Sequence, residues 1–207
     1  MPAEERYGPP LSWLALRAQR VERLCTRGGP GLPLLMPALR AMAGGQCRSV
    51  ALEGLAGDAD AAIAALAALP ALRCLSLSPG LCGELVACVE GVAALAAATA
   101  LESLSLGLDR LAGPSSSREL GAALSGLTSL RLAARREAAV VPPELLESAG
   151  RLRRLDLANC RLAQFTPAMA EALQGLEFLA VDGERQGGAP SCLLLRGPAA
   201  CCLAKTP

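Results

Sequence analysis

Nine cysteines and nineteen carboxylates carry the most versatile chemistry in this 207-residue chain, and no histidine accompanies them. The thiols are Cys25, Cys47, Cys74, Cys82, Cys88, Cys160, Cys192, Cys201 and Cys202. A nucleophilic thiol or hydroxyl needs a base to activate it, and imidazole is the usual one. Without it, neither a Ser/His/Asp nor a Cys/His arrangement can be assembled, and the chain has no phosphate loop. The thiols form no CxxC pair, and zinc needs four spaced ligands, which the cluster of Cys192, Cys201 and Cys202 does not supply. An odd number of cysteines cannot all pair within one chain, so free buried thiols in a reducing compartment are expected. Asp109, Asp156 and Asp182 stand apart from one another and are read as solvated or bend-stabilising. The expectation is a protein without catalysis, metal or cofactor.

Charge narrows the partners. Twenty basic residues against nineteen acidic ones leave a net +1, which gives no electrostatic case for nucleic acid or an anionic membrane. The first residues, MPAEERYGPP, mix charges and lack the apolar run of a signal peptide, and no apolar stretch nears the ~20 residues that span a bilayer. A cytoplasmic monomer is therefore expected, with nuclear, cytoskeletal or ciliary association as alternatives. Hydrophobic residues make up 52% of the chain and aromatics only 2%, so the core must be built from leucine and alanine. That bias points to thin, repeated packing.

The elements that would position these residues follow from a repeat. Leucines three and five apart recur in LRCLSL from Leu72, LESLSL from Leu101, LTSLRL from Leu127 and LRRLDL from Leu152. Looser copies begin at Val21 (VERLCT), Cys47 (CRSVAL) and Leu176 (LEFLAV). Each copy thus begins about 26 residues after the one before it, with little scatter. Leucine fills about a fifth of the chain, so a strict LxxLxL should arise by accident roughly once or twice, but not at near-equal spacing. LSWLAL from Leu11, which lies too close to Val21 and out of phase, is such an accident.

A period of about 26 residues headed by LxxLxL resembles the leucine-rich-repeat family. LESLSLGLDRL and LRRLDLANCRL match its longer consensus, LxxLxLxx(N/C)xL, best, with Asp109 and Cys160 at the Asn/Cys position. Elsewhere that position holds Leu55, Gly80, Arg135 or Glu184, a departure that makes the bends irregular. The resemblance implies a right-handed α/β solenoid, a horseshoe with a parallel concave sheet and helices on the convex side. In each short strand the two later leucines share the inward face, and the first leucine enters the core from the bend. A single copy cannot bury its own apolar face, whereas stacked copies make a continuous core. Cys160 is then a structural small polar residue rather than a reactive thiol.

Helices are expected over 58–70, capped by Asp58 and stopped by Pro70, and over 84–100, the longest. Others are expected over 115–126, 142–150 and 166–175, the last two with proline in the first turn and glycine after the last. The domain reading is a capping helix over 1–20 with Trp13 covering the first coil, repeats over 21–183, and a flexible tail over 184–207, where the period is lost.

The outward strand positions form columns, and leucine-rich-repeat proteins usually bind partners there. One runs Arg23, Ser49, Cys74, Ser103, Ser129, Arg154, Phe178; its neighbour runs Cys25, Ala51, Ser76, Ser105, Arg131, Asp156, Ala180. The candidate partner-binding residues are Arg23, Arg27 and Arg48 at one end, Ser103 and Ser105 in the middle, and Arg131, Arg154, Asp156, Phe178 and Asp182 at the other. Phe178, the one aromatic on this face, is the best hot-spot candidate. Seven strands of about five residues make a sheet of roughly 460 Å², below the roughly 800 Å² per partner of a standard interface.

The style of the repeats resembles intracellular F-box/leucine-rich-repeat proteins, in which an F-box docks onto a ubiquitin-ligase scaffold and the repeats hold the substrate. WLALRAQRVERL resembles the segment that follows an F-box, although no F-box precedes it here. The expected function is a protein-interaction module, with substrate recognition for a ubiquitin ligase as its narrower form. The alternatives are a free-standing regulator of an enzyme or GTPase and a cytoskeletal or axonemal scaffold.

Overall fold

The computed structural model describes residues 20–27, 32–80, 84–112, 121, 124–135, 139–141, 143–162, 164, 166–182 and 192–196. Its main sheet holds β1 (Arg23–Thr26), β2 (Ser49–Leu55), β4 (Cys74–Pro79), β6 (Ser103–Leu108), β8 (Ser129–Ala134), β10 (Arg154–Ala158), β12 (Phe178–Asp182) and β13 (Cys192–Arg196), in that spatial order. All neighbours pair in parallel except β12 and β13. Helices α1 (Leu32–Ala41), α2 (Asp60–Ala67), α3 (Val89–Ala93), α4 (Pro143–Glu147) and α5 (Pro167–Ala172) lie between successive strands of the sheet. The chain is an α/β leucine-rich-repeat solenoid.

The register follows the leucines. Leu75, Leu104, Leu130 and Leu155 align across neighbouring strands and are buried, as are Leu77, Leu106 and Leu157. The head position is buried in six of the seven repeats, at Cys47, Leu72, Leu101, Leu127, Leu152 and Leu176, and half-buried at Val21. A shared backbone pattern locks the coils together. The carbonyls of Glu22, Arg48, Arg73, Glu102, Thr128 and Arg153 each accept two N–H bonds from the next coil, at 2.8 to 3.2 Å. Each coil thus supplies the acceptors that its neighbour's strand start would otherwise lack. Among the aligned core strands the packing is leucine on leucine, which explains how the fold does without aromatics.

The convex side departs from the expected run of helices. Only part of 84–100 is helical. Leu85–Cys88 forms β5, followed by α3 and a 3₁₀ turn over Ala94–Ala97. β5 sits between β3 (Gly57–Asp58) and β7 (Arg110–Ala112) in a second, three-stranded parallel sheet, and β9 (Ala139–Val141) pairs with β11 (Cys160–Leu162) in a third. Alanine favours helix locally, but a segment just past a bend meets the open edge of the coil before it, and backbone pairing there wins. α3 is also fitted closely against α2: a Cβ on Gly91 would lie 2.1 Å from Asp60 Oδ1, so only glycine fits. Asp60 Oδ1 in turn accepts the Cys88 N–H at 2.9 Å.

Smaller corrections concern the ends of elements. Asp58 does not cap α2, whose N-cap is Ala59; its carboxylate accepts the Asp60 N–H at 2.8 Å instead. Thr166, by contrast, caps α5 by accepting the Met169 N–H at 3.2 Å. The tail expected to be flexible over 184–207 contributes β13, whose backbone satisfies the outer edge of β12 and leaves that strand no bare row of N–H and C=O groups. The capping helix over 1–20 lies outside the described residues apart from Arg20, and so do most of 115–126 and the rest of the tail.

Candidate partner-binding face

The outward residues of the main sheet form the rows read from the sequence. In one row Arg23 aligns with Ser49, Ser49 with Cys74, Cys74 with Ser103, Ser103 with Ser129, Ser129 with Arg154, and Arg154 with Phe178. In the next, Ser105 aligns with Arg131 and Arg131 with Asp156. The alternation of a strand makes this possible, since residues two apart share a face. Nine of the ten candidates thus lie on or at the ends of the outward rows, Arg27 just beyond β1 and Asp182 at the end of β12 beside Ala158. Arg48 stands one residue before β2, exposed at the rim.

Electrostatics divides the arginines into two groups. Arg27 Nε lies 3.5 Å from Glu53, and Arg131 Nε lies 3.3 Å from Asp156. At the rim, Arg73 lies 3.2 Å from Glu102, and Arg153 pairs with Glu177. Each pair joins adjacent coils, so these charges are largely answered within the face. Arg23, Arg48 and Arg154 have no ion pair among the described residues, and all three are exposed. Arg154 stacks on Phe178 instead, its guanidinium carbon 5.1 Å from the ring centroid. Such stacking steadies the cation and leaves its N–H groups free.

Between Arg23 and Arg154 the surface is small and polar. Ser49, Ser103 and Ser129 in one row, and Ser76 and Ser105 in the other, are half-buried. None of their hydroxyls has a protein hydrogen-bond partner among the described residues. Cys25 and Cys74 are free, exposed thiols on the same face. Sequence reasoning missed the rim ladder of Arg73 with Glu102. The column one position ahead of the strands carries that signal, with Glu22, Arg48, Arg73, Glu102, Thr128, Arg153 and Glu177 in succession.

The bends hold the remaining polar groups. Cys160 is buried, and its thiol donates toward the carbonyls of Ala158 and Leu132 at 3.4 and 3.6 Å. Burial pushes it up to about 11 from the ordinary 9.0, with a backbone hydrogen bond opposing the shift and the Asp156 carboxylate adding to it. Asn159, in the left-handed region at φ 51°, donates to the Ala134 carbonyl at 3.1 Å. Burial also raises the Cys47 thiol, whose Sγ faces the carbonyls of Ser49 and Glu22. These thiols are structural donors, not nucleophiles. Asp109 is buried and accepts the Leu85 N–H at 2.8 Å. No group of three or more metal-ligating side chains occurs among the described residues, and no described helix is long and apolar enough to cross a membrane.

No family profile matches the sequence, and no curated protein matches it. Among solved structures, the chain is similar to the leucine-rich-repeat protein of Leptospira interrogans, with a TM-score of 0.53 at 16% identity over 81% of this chain and 44% of that one. It is also similar to a chain in the crystal structure of the Arabidopsis receptor kinase HAESA with the peptide hormone IDA and the co-receptor SERK1, with a TM-score of 0.50 at 21% identity over 73% of this chain. The match spans only 23% of the latter chain. At these identities the likeness establishes the leucine-rich-repeat fold.

Proposed function

We propose that this chain is a non-catalytic protein-interaction module that holds its partner on the concave face of the sheet. The observation that carries this reading is the pair of aligned rows of small, unpartnered polar side chains, bracketed by the exposed Arg23 and by Arg154 stacked on Phe178. A face left open between exposed cations is suited to recognition, and the Phe178–Arg154 pair has the residue types of a hot spot. The HAESA structure contains a peptide hormone, which is a precedent for ligand binding on this fold rather than evidence of this chain's ligand.

The test is site-specific photo-crosslinking in cell extract. A photoreactive phenylalanine analogue at Ser105 should capture a discrete partner, and the same group at the exposed Ala61 on α2 should not. Equal capture at both positions, or capture at Ala61 alone, would overturn the assignment of the face.

Substrate recognition within an F-box-type ubiquitin ligase is the narrower form of this reading. It is supported by the length of the repeat period and by WLALRAQRVERL. Reading the native transcript upstream of Met1 tests it: an in-frame F-box supports it, and an in-frame stop removes it.

A further inference from the structure

We propose that the concave face takes an extended acidic peptide laid across the strands, with two carboxylate side chains six or eight residues apart, one on Arg23 and one on Arg154. This inference rests on the reading of the face as an interaction surface and adds the chemistry of the partner.

Three observations converge on it. The first is selective neutralisation. Arg27, Arg73, Arg131 and Arg153 each have a carboxylate on a neighbouring coil, whereas Arg23 and Arg154 on the strands, like Arg48 at the rim, have none among the described residues. A partner that supplies two negative charges answers the two strand arginines, and one that supplies positive charges meets unanswered cations. The stack on Phe178 holds the Arg154 fork in place, so less side-chain freedom is lost when a carboxylate binds it.

The second is spacing. Arg23 on β1 and Arg154 on β10 occupy the same row, separated by β2, β4, β6 and β8. Five steps of about 4.8 Å place them roughly 24 Å apart along the sheet. An extended peptide advances about 3.4 Å per residue and presents alternate side chains to one face, so positions i and i+6 or i+8 span roughly 20 to 27 Å on the same side. Both separations lie within reach of two flexible arginines. Between them the peptide backbone crosses the hydroxyls of Ser49, Ser103 and Ser129, which have no protein partner among the described residues and can donate to or accept from its amide groups.

The third is size. With its eighth strand the sheet covers roughly 540 Å², too small for a standard globular interface but matched to a strand-like ligand. The chain's own tail is a poor occupant. From residue 184 onward it carries Glu184 against Arg185, Arg196 and Lys205.

The experiment uses the full chain and fluorescein-labelled eleven-residue peptides of Ser, Ala and Gly with glutamates at positions 2 and 8 or 2 and 10, read by fluorescence anisotropy. Saturable binding is expected, weakened at least tenfold when either glutamate becomes glutamine or when the two stand three residues apart. Arg23→Glu and Arg154→Glu should each weaken binding at least tenfold, and a lysine in place of the facing glutamate should restore binding to the variant. Arg73→Ala, which breaks a paired rim arginine, should change it less than twofold. All three sites are exposed, so thermal melting should confirm that the variants stay folded. Equal binding of the glutamine peptides, or indifference to both Arg23→Glu and Arg154→Glu, overturns the proposal. If no acidic peptide binds while Ser105 still captures a protein, the acidic-peptide inference fails and the interaction-module reading stands. If Ser105 captures nothing as well, the reading of the face fails with it.

Discussion

Two bends of this solenoid occupy the same place in the repeat and solve opposite problems. At the end of β6, Asp109 is an acceptor: its carboxylate takes the Leu85 N–H at 2.8 Å, while its own N–H goes to the Leu85 carbonyl at 2.9 Å. At the end of β10, Cys160 is a donor, its thiol facing the carbonyls of Leu132 and Ala158. The difference lies in the preceding coil. Before Asp109 that coil starts a strand, β5, whose first N–H points into the bend. Before Cys160 it presents carbonyls, that of Leu132 to the thiol and that of Ala134 to the Asn159 amide. A buried backbone group must be answered by a side chain of opposite hydrogen-bonding sense, so the neighbour's exposed group selects the residue. The incomplete ladder of the consensus position is an adaptation to irregular neighbours.

Exchanging the senses is the strongest way to break this comparison. Cys160→Asp would set a buried carboxylate against two carbonyl oxygens, and a loss of roughly 4 kcal/mol or more is expected in urea unfolding. A smaller loss would mean that the bend can turn outward to water. Asp109→Leu keeps the branched shape and removes the acceptor, leaving the Leu85 N–H unanswered at a cost of about 2–3 kcal/mol, with the second sheet opening first. Hydrogen exchange at Leu85 should rise selectively. Unchanged protection there would show that another group takes over.

Proton linkage sharpens the comparison next. The Cys160 thiol is pushed up to about 11 from 9.0, so folding disfavours its thiolate. The stability this contributes is complete below about pH 9 and is lost as pH rises toward and through 11, by about 2–3 kcal/mol in all. Cys160→Ser should flatten this alkaline decline. If the variant loses stability over the same range as the wild type, the decline has another origin. The smallest effect is at neutral pH: Cys160→Ser retains a donor for the same carbonyls and should cost less than about 1 kcal/mol. At that pH iodoacetamide should label the exposed Cys25 and Cys74 well before Cys160 in the folded chain.

The sequence was legible where one residue type meets its own kind in the next coil. Leucines three and five apart, recurring at a near-constant period, determine the strands of the main sheet, their register and the inward face, because only that stacking buries every copy. The outward rows, and hence the candidate face, follow from strict alternation along each strand. β5 was hidden because LVAC sits within an alanine-rich stretch with helical propensity, and its alternation is rewarded only against the edges of β3 and β7. α1 was not among the expected helices, and proline inside a helix removes a backbone N–H. Its sequence carries Pro37 inside the helix, while Leu35, Leu39 and Met42 pack into the core. β13 lies where the period has ended, and only the unpaired edge of β12 gives it a partner.

Which charges are answered was likewise decided by tertiary structure. Arg27, Arg73, Arg131 and Arg153 look no different in the sequence from Arg23 and Arg154. The carboxylates that answer them stand one coil away, a full repeat further along the chain, and side-chain reach decides which pairs close. The sequence by itself determined a repeating core and the face opposite it, since both depend on local periodicity. Only the stacking of coils determined the hydrogen-bond sense of each bend and which cations of the face are left unneutralised, because both depend on what the neighbouring coil exposes.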